Sequence, residues 1–127
     1  MNRLQKVVVL LDTIEGLRTA GSRCGETHIQ KAVYFLQTLF DIPLGYEFVM
    51  YKYGPFSFEL SDELVRIRAD GLLKSVPTPP FGTTFHLEEA SQYLRNIFVH
   101  TREQFREPIE LLTTEIGNKG VKELEKL

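Results

Sequence analysis

The sequence predicts a single α+β domain, mostly helical, with a winged-helix-like core and extra helices at its C-terminal end. Three observations predict it. Apolar residues recur at helical spacing in several separate stretches. An aromatic, extended stretch lies between the second and third of them. After the third come a short strand, a Pro- and Gly-rich turn and a second short strand, which is the order of a helix followed by a β-wing. The whole chain, 1–127, is read as one domain, with a core over about 3–87 and a helical extension over 88–127.

Residues 3–20 read as the first helix, with Leu4, Val7, Leu11, Ile14 and Leu17 on one stripe and Gly21 as the stop. Val7-Val8-Val9 is β-branched and would also suit a strand. Thr27-His28-Ile29-Gln30 has the form of a capping box opening a second helix that runs to about Phe40. Ile29, Ala32, Val33, Phe35, Leu36, Leu39 and Phe40 form its apolar side. Gln30, Lys31, Tyr34, Gln37 and Thr38 form the other.

The chain then reads as a strand, a tight corner and a helix. Tyr46, Phe48 and Met50 alternate as in a half-buried strand. Gly54-Pro55 stops that strand, because proline has no N–H to donate. Ser57 is the expected N-cap of a third helix ending at Asp70 and Gly71. Leu60, Leu64 and Ile67 line its inner side. Glu59, Asp62, Glu63, Arg66 and Asp70 lie on its open face, with Asp62 and Arg66 placed to pair. Strands follow at 72–76 and 83–87. Beyond Glu88, Tyr93, Leu94, Ile97, Phe98, Phe105, Ile109, Leu112 and Ile116 continue at helical spacing, with Pro108 placed to break, kink or restart the helix. So much apolar surface must cover the core or meet a second copy, and a homodimer is expected.

Composition narrows the function. The net charge of −2 gives no general attraction to nucleic acid. A single cysteine, Cys24, excludes an internal disulfide and fits a reducing cytoplasm. No apolar run approaches the ~20 residues of a membrane span, and the N-terminus lacks a signal-peptide pattern. The three histidines are isolated, so no metal or cofactor is expected. Cys24 with His28 and Glu26 is the nearest thing to a nucleophilic set, and no known signature surrounds it.

Two stretches, Gln30-Lys31-Ala32-Val33-Tyr34-Phe35-Leu36-Gln37 and Tyr51-x-Tyr53-Gly54-Pro55-Phe56-Ser57, carry a resemblance together with Tyr46, Phe48, Leu60, Leu64 and Gly71-Leu72-Leu73. Over about a third of its length the chain is similar to bacterial and archaeal Panacea domains, the SocA-like phage-associated antitoxins, and to their YwgA-like sister group. The absence of tryptophan favours the sister group. The resemblance implies a winged-helix-like fold without known catalysis and, in the Panacea branch, neutralisation of a protein partner.

The leading expectation is therefore a non-enzymatic cytoplasmic module that binds a protein. Its expected contact face is Gln30, Lys31, Tyr34 and Gln37, joined by Tyr53, with Gly54, Pro55 and Ser57 as the structural corner. Tyr34 stands out there, because a solvated helix face needs no aromatic ring. The alternatives are a DNA-binding regulator and, more remotely, a hydrolase. The acidic lead of the third helix, Glu59, Asp62 and Glu63, argues against entry into a DNA groove.

Overall fold

Five consecutive residues of the first helix, Val7 to Leu11, are at most 1% exposed, so the middle of that helix is enclosed on every side. The structure is a computed structural model and describes residues 1–52, 54–80 and 82–127. Its elements run α1 (Arg3–Thr19), α2 (Glu26–Thr38), β1 (Val49–Tyr51), β2 (Gly54–Phe56), α3 (Phe58–Ala69), β3 (Leu73–Pro77), β4 (Thr83–Leu87), α4 (Ser91–Ile97), α5 (Val99–Gly117) and α6 (Val121–Leu124). The fold is α+β, with two separate two-stranded antiparallel sheets, β1–β2 and β3–β4.

Burial decides the Val7-Val8-Val9 ambiguity in favour of helix. Enclosure leaves no solvent face to demand an amphipathic stripe, and β-branching costs little beside full burial. Asn2 caps α1: its Oδ1 accepts from the Gln5 amide at 2.9 Å, and Gln5 Oε1 accepts from the Asn2 amide at 2.9 Å. Leu4, expected on the stripe, is exposed.

α5 lies along α1. Phe105, Ile109, Leu112 and Ile116, with Leu124 from α6, join the same core as Leu10, Leu11, Ile14 and Leu17. These are four of the residues that suggested a dimer, and they are satisfied within the chain. Tyr93 and Ile97 do not follow their expected stripe and are about 75% exposed. α4 instead buries Ser91 and Arg95. The helical break falls at Phe98, and α5 runs through Pro108.

α2 starts one residue earlier than the expected cap. Gly25 is the N-cap, without a side-chain bond, and Thr27 lies inside the helix. The expected capping box cannot form with Thr27 inside the helix, and the Gln30 amide is engaged elsewhere. The helix also ends two residues early. The Ile42 amide donates to the Leu36 carbonyl at 3.0 Å, with Asp41 in the left-handed region at φ 55°. This closure is one residue wider than a Schellman end, and it turns Leu39 and Phe40 outward while drawing Ile42 and Leu44 into the core.

Gly54-Pro55 does not end a strand. The two residues belong to β2, where Gly54 pairs with Tyr51 and Pro55 with Met50. Two positions separate Tyr51 from Gly54. In such a tight hairpin the second pair out is not hydrogen-bonded, so Pro55 sits where no N–H is required. Gly54 has φ 122°, a conformation that favours glycine. Ser57 is the N-cap of α3 as expected, with Oγ accepting from the Leu60 amide at 3.1 Å.

Candidate functional site

The stretch from Tyr46 to Ser57 is fastened to α2 at both ends by glutamines. Gln37 Nε2 donates to the Tyr46 carbonyl at 3.0 Å, and the Tyr46 amide donates to Gln37 Oε1 at 2.8 Å. Two helical turns earlier, Gln30 Nε2 donates to the Ser57 carbonyl at 3.0 Å, and the Ser57 amide donates to Gln30 Oε1 at 2.8 Å. Each primary amide thus completes one residue's backbone pairing, as a neighbouring strand would. Gln30 is 2% exposed, so this pairing is also what makes its burial tolerable.

These bonds change the expected contact face. Gln30 and Gln37 spend their amides on backbone. Lys31 is 6% exposed. Its ammonium lies 5.7 Å from the centre of the Phe35 ring, not beside Tyr34. Tyr34 is half-buried, edge-on to Phe48 at 5.4 Å and tilted against Phe35 at 5.6 Å. Thr38 is exposed, and its Oγ1 bonds the Tyr34 carbonyl. Tyr53, the fifth expected member, lies outside the described residues. A Lys31→Glu, Tyr34→Ala change would therefore disturb packing as well as surface.

A cluster of exposed apolar side chains lies instead on the β1–β2 hairpin and the start of α3. Val49, Met50, Tyr51 and Phe58 are all at least 45% exposed. Tyr51 stacks on Phe56 with ring centres 5.7 Å apart. Phe58 meets both rings edge-on, at 5.8 and 5.1 Å. The register puts Val49 opposite Phe56, so Val49, Tyr51 and Phe56 share one face of the hairpin. The aromatic run was visible in the sequence. Tyr46 and Phe48 are half-buried against the core, as their alternation implied, whereas Met50 and the rest of β1 are exposed.

Beneath this hairpin is a cleft of about 340 Å³ with Lys31, Tyr51, Gly54, Pro55, Phe56 and Leu124 in its wall. Glu26, Thr27, Gln30 and Ser61 complete its lining. Glu26 Oε2 accepts from Gln30 Nε2 at 3.2 Å.

The remaining candidates are not brought together. Cys24 is fully buried against the Ile14 carbonyl, and burial pushes its thiol up to about 12. His28 bonds the Lys119 carbonyl at 2.7 Å, tying α2 to the C-terminal turn. Among the described residues no group of three or more His, Cys, Asp or Glu side chains is placed to hold a metal ion. Cys24 is accordingly expected to ignore Ellman's reagent in the folded protein and to react fully in denaturant. Rapid reaction of the native protein would contradict its burial.

The acidic face of α3 is partly consumed as well. Glu63 is buried and pairs with Arg3 at 3.2 Å. Glu59 accepts from the Glu47 amide. Arg66 lies 3.8 Å from Glu63, so the expected partnership with Asp62 is not made. Arg68 turns inward, bonding Ser75 and lying over the Phe85 ring.

No family model, curated protein or solved structure matches the chain. Among the described residues no helix is long and apolar enough to cross a membrane.

Proposed function

We propose that the chain is a non-enzymatic, cytoplasmic interaction module that binds a protein partner through the β1–β2 hairpin. The observation that carries this reading is the three-ring cluster in which exposed Tyr51 and Phe58 flank half-buried Phe56, with exposed Val49 and Met50 beside it. Aromatic and methionine side chains are enriched in binding surfaces, and clustered aromatic anchors supply most of their energy. The glutamine bonds at Tyr46 and Ser57 hold the cluster in place before any partner arrives. The antitoxin-like role implied by the Panacea resemblance is consistent with a surface of this kind.

We read α1–α3 with the β3–β4 hairpin as a winged-helix-like arrangement, in which β3–β4 is the wing. Its surface is poorly suited to DNA. Nineteen positions, 39–57, separate α2 from α3. A helix-turn-helix joins its two helices through a turn of about 3–4 residues. Arg68 is committed to Ser75 and Phe85, and Lys31 is buried, so neither adds to a basic face.

The test is capture from a lysate of the native host by tagged protein, repeated with Tyr51→Ser, Phe58→Ser. Both side chains are more than half exposed, so the thermal midpoint should hold. Partner recovery should fall at least about tenfold, as expected when central aromatic anchors are removed. Equal recovery by both proteins would overturn the hairpin reading. In parallel, fluorescence anisotropy with mixed-sequence duplex DNA should give a dissociation constant weaker than about 1 μM near physiological salt. Submicromolar, steeply salt-dependent binding would favour a DNA-binding regulator instead.

A further inference from the structure

Lys31 is an anomaly in a core-facing position. Its residue is 6% exposed, and its ammonium reaches the hairpin corner, 3.5 Å from where a side chain on Gly54 would begin. Among the described residues no hydrogen bond or ion pair joins it, and its contact of electrostatic kind is the Phe35 ring at 5.7 Å. A lysine this little exposed favours a counter-charge at its ammonium. What the position offers is an open side: Lys31 stands in the wall of the 340 Å³ cleft. The rest of that wall gives the complementary chemistry. Tyr51, Pro55, Phe56 and Leu124 supply apolar surface, and Ser61 supplies a hydroxyl.

We infer that the Lys31 cleft is a carboxylate-binding subsite, which receives an acidic side chain and an adjoining apolar side chain from the segment that the hairpin engages. The inference rests on the proposed protein-binding function for the source of the carboxylate, and on charge complementarity for its chemistry. A partly desolvated ammonium forms a strong charge-assisted bond with a carboxylate. The apolar neighbour lies on Pro55 and Phe56. Glu26, on the same wall, opposes a second negative charge, so the subsite selects one carboxylate rather than a phosphate dianion.

The test uses amide chemical-shift titrations of the ¹⁵N-labelled protein with four probes: acetyl-Glu-Phe-amide, acetyl-Gln-Phe-amide, 3-phenylpropanoate and 3-phenylpropanamide. The glutamate peptide should shift Gly54, Ser61 and Leu124 and bind at least about tenfold more tightly than the glutamine peptide, the size of a charged hydrogen bond in a sheltered site. Lys31→Met should abolish that preference, and Glu26→Gln should enlarge it. Circular dichroism and the thermal midpoint check that Lys31→Met is folded. If that variant does not fold, Glu26→Gln and the paired probes still decide the matter. Equal binding of the acid and amide peptides, or shifts remote from the cleft, would overturn the inference. So would binding of 3-phenylpropanoate alone, which would mark the cleft as a small-molecule site. None of these outcomes depends on the lysate capture. A failed carboxylate preference with intact Tyr51- and Phe58-dependent capture removes the subsite and leaves the hairpin reading standing.

Discussion

Arg95→Met should lower stability by about 3 kcal/mol, or about 10 °C in thermal midpoint for a domain of this size. The Arg95 side chain is 4% exposed and donates to Asp12 Oδ1 at 2.8 Å and to both Glu15 oxygens at 2.7 and 2.8 Å. It is the bond between α4 and the central helix. Removing it takes one of the two arginine partners from Asp12, whose side chain is 14% exposed. Two features keep the cost at the lower end of what breaking a buried pair entails. Arg102 still reaches Asp12 at 3.0 Å, and the Glu15 side chain is 52% exposed. Hydrogen bonds from Arg95 hold the Glu15 carboxyl below its ordinary range, against the opposing effect of burial. A carboxyl whose folded value is depressed contributes stability above its unfolded value, and loses it as pH falls through the folded one. The gap between wild type and variant should therefore narrow on going from roughly pH 7 to roughly pH 3. A midpoint unchanged at neutral pH would show that the cluster contributes nothing net.

Gly117→Ala should cost about 1–3 kcal/mol despite the usual preference of helices for alanine. A Cβ at Gly117 would sit 2.5 Å from the Ala20 Cβ and 3.2 Å from the Leu17 carbonyl oxygen, and neither is the tip of a flexible side chain. The ends of α1 and α5 would have to separate. Gly16 marks a second close approach, where a Cβ would come within 2.6 Å of Thr113 Oγ1. The cause can be isolated with a second substitution. Ala20→Gly in the Gly117→Ala background removes the nearest clash and should recover most of the loss, whereas Ala20→Gly alone should be mildly destabilising. Thermal or denaturant melts of the four proteins decide it. Additive losses would mean that Gly117 matters for some reason other than this contact.

What was legible in the sequence was local. Ser57 at the head of α3, Gly71 past its end, and the strand pair on either side of 78–82 announce themselves through their neighbours. The long-range roles were not legible. Gln30 sits three residues after Thr27, and the capping-box pattern is satisfied on paper; nothing nearby shows that its amide serves Ser57, twenty-seven residues on. Arg95 lies on an ordinary polar helix turn, and only the fold brings it to Asp12 and Glu15. Tyr93 and Ile97 look like core for the same reason: helical spacing says which residues share a face, not which face turns inward. The aromatic hairpin was visible as composition. Its exposure was not, because alternation says which residues share a face and not whether anything covers that face.

The two glutamine bonds also set how this protein comes apart. Freeing the hairpin at either end leaves a side-chain amide of α2 without partners, together with the N–H and C=O it served. At Gln30 that loss would be in the dry interior, where unpaired amides are expensive. The hairpin therefore has little scope to fray by itself, although its strands are short and its outer face is wet. It opens when α2 opens, and the two form one cooperative unit. A partner would meet a surface whose lifetime is that of the helix behind it.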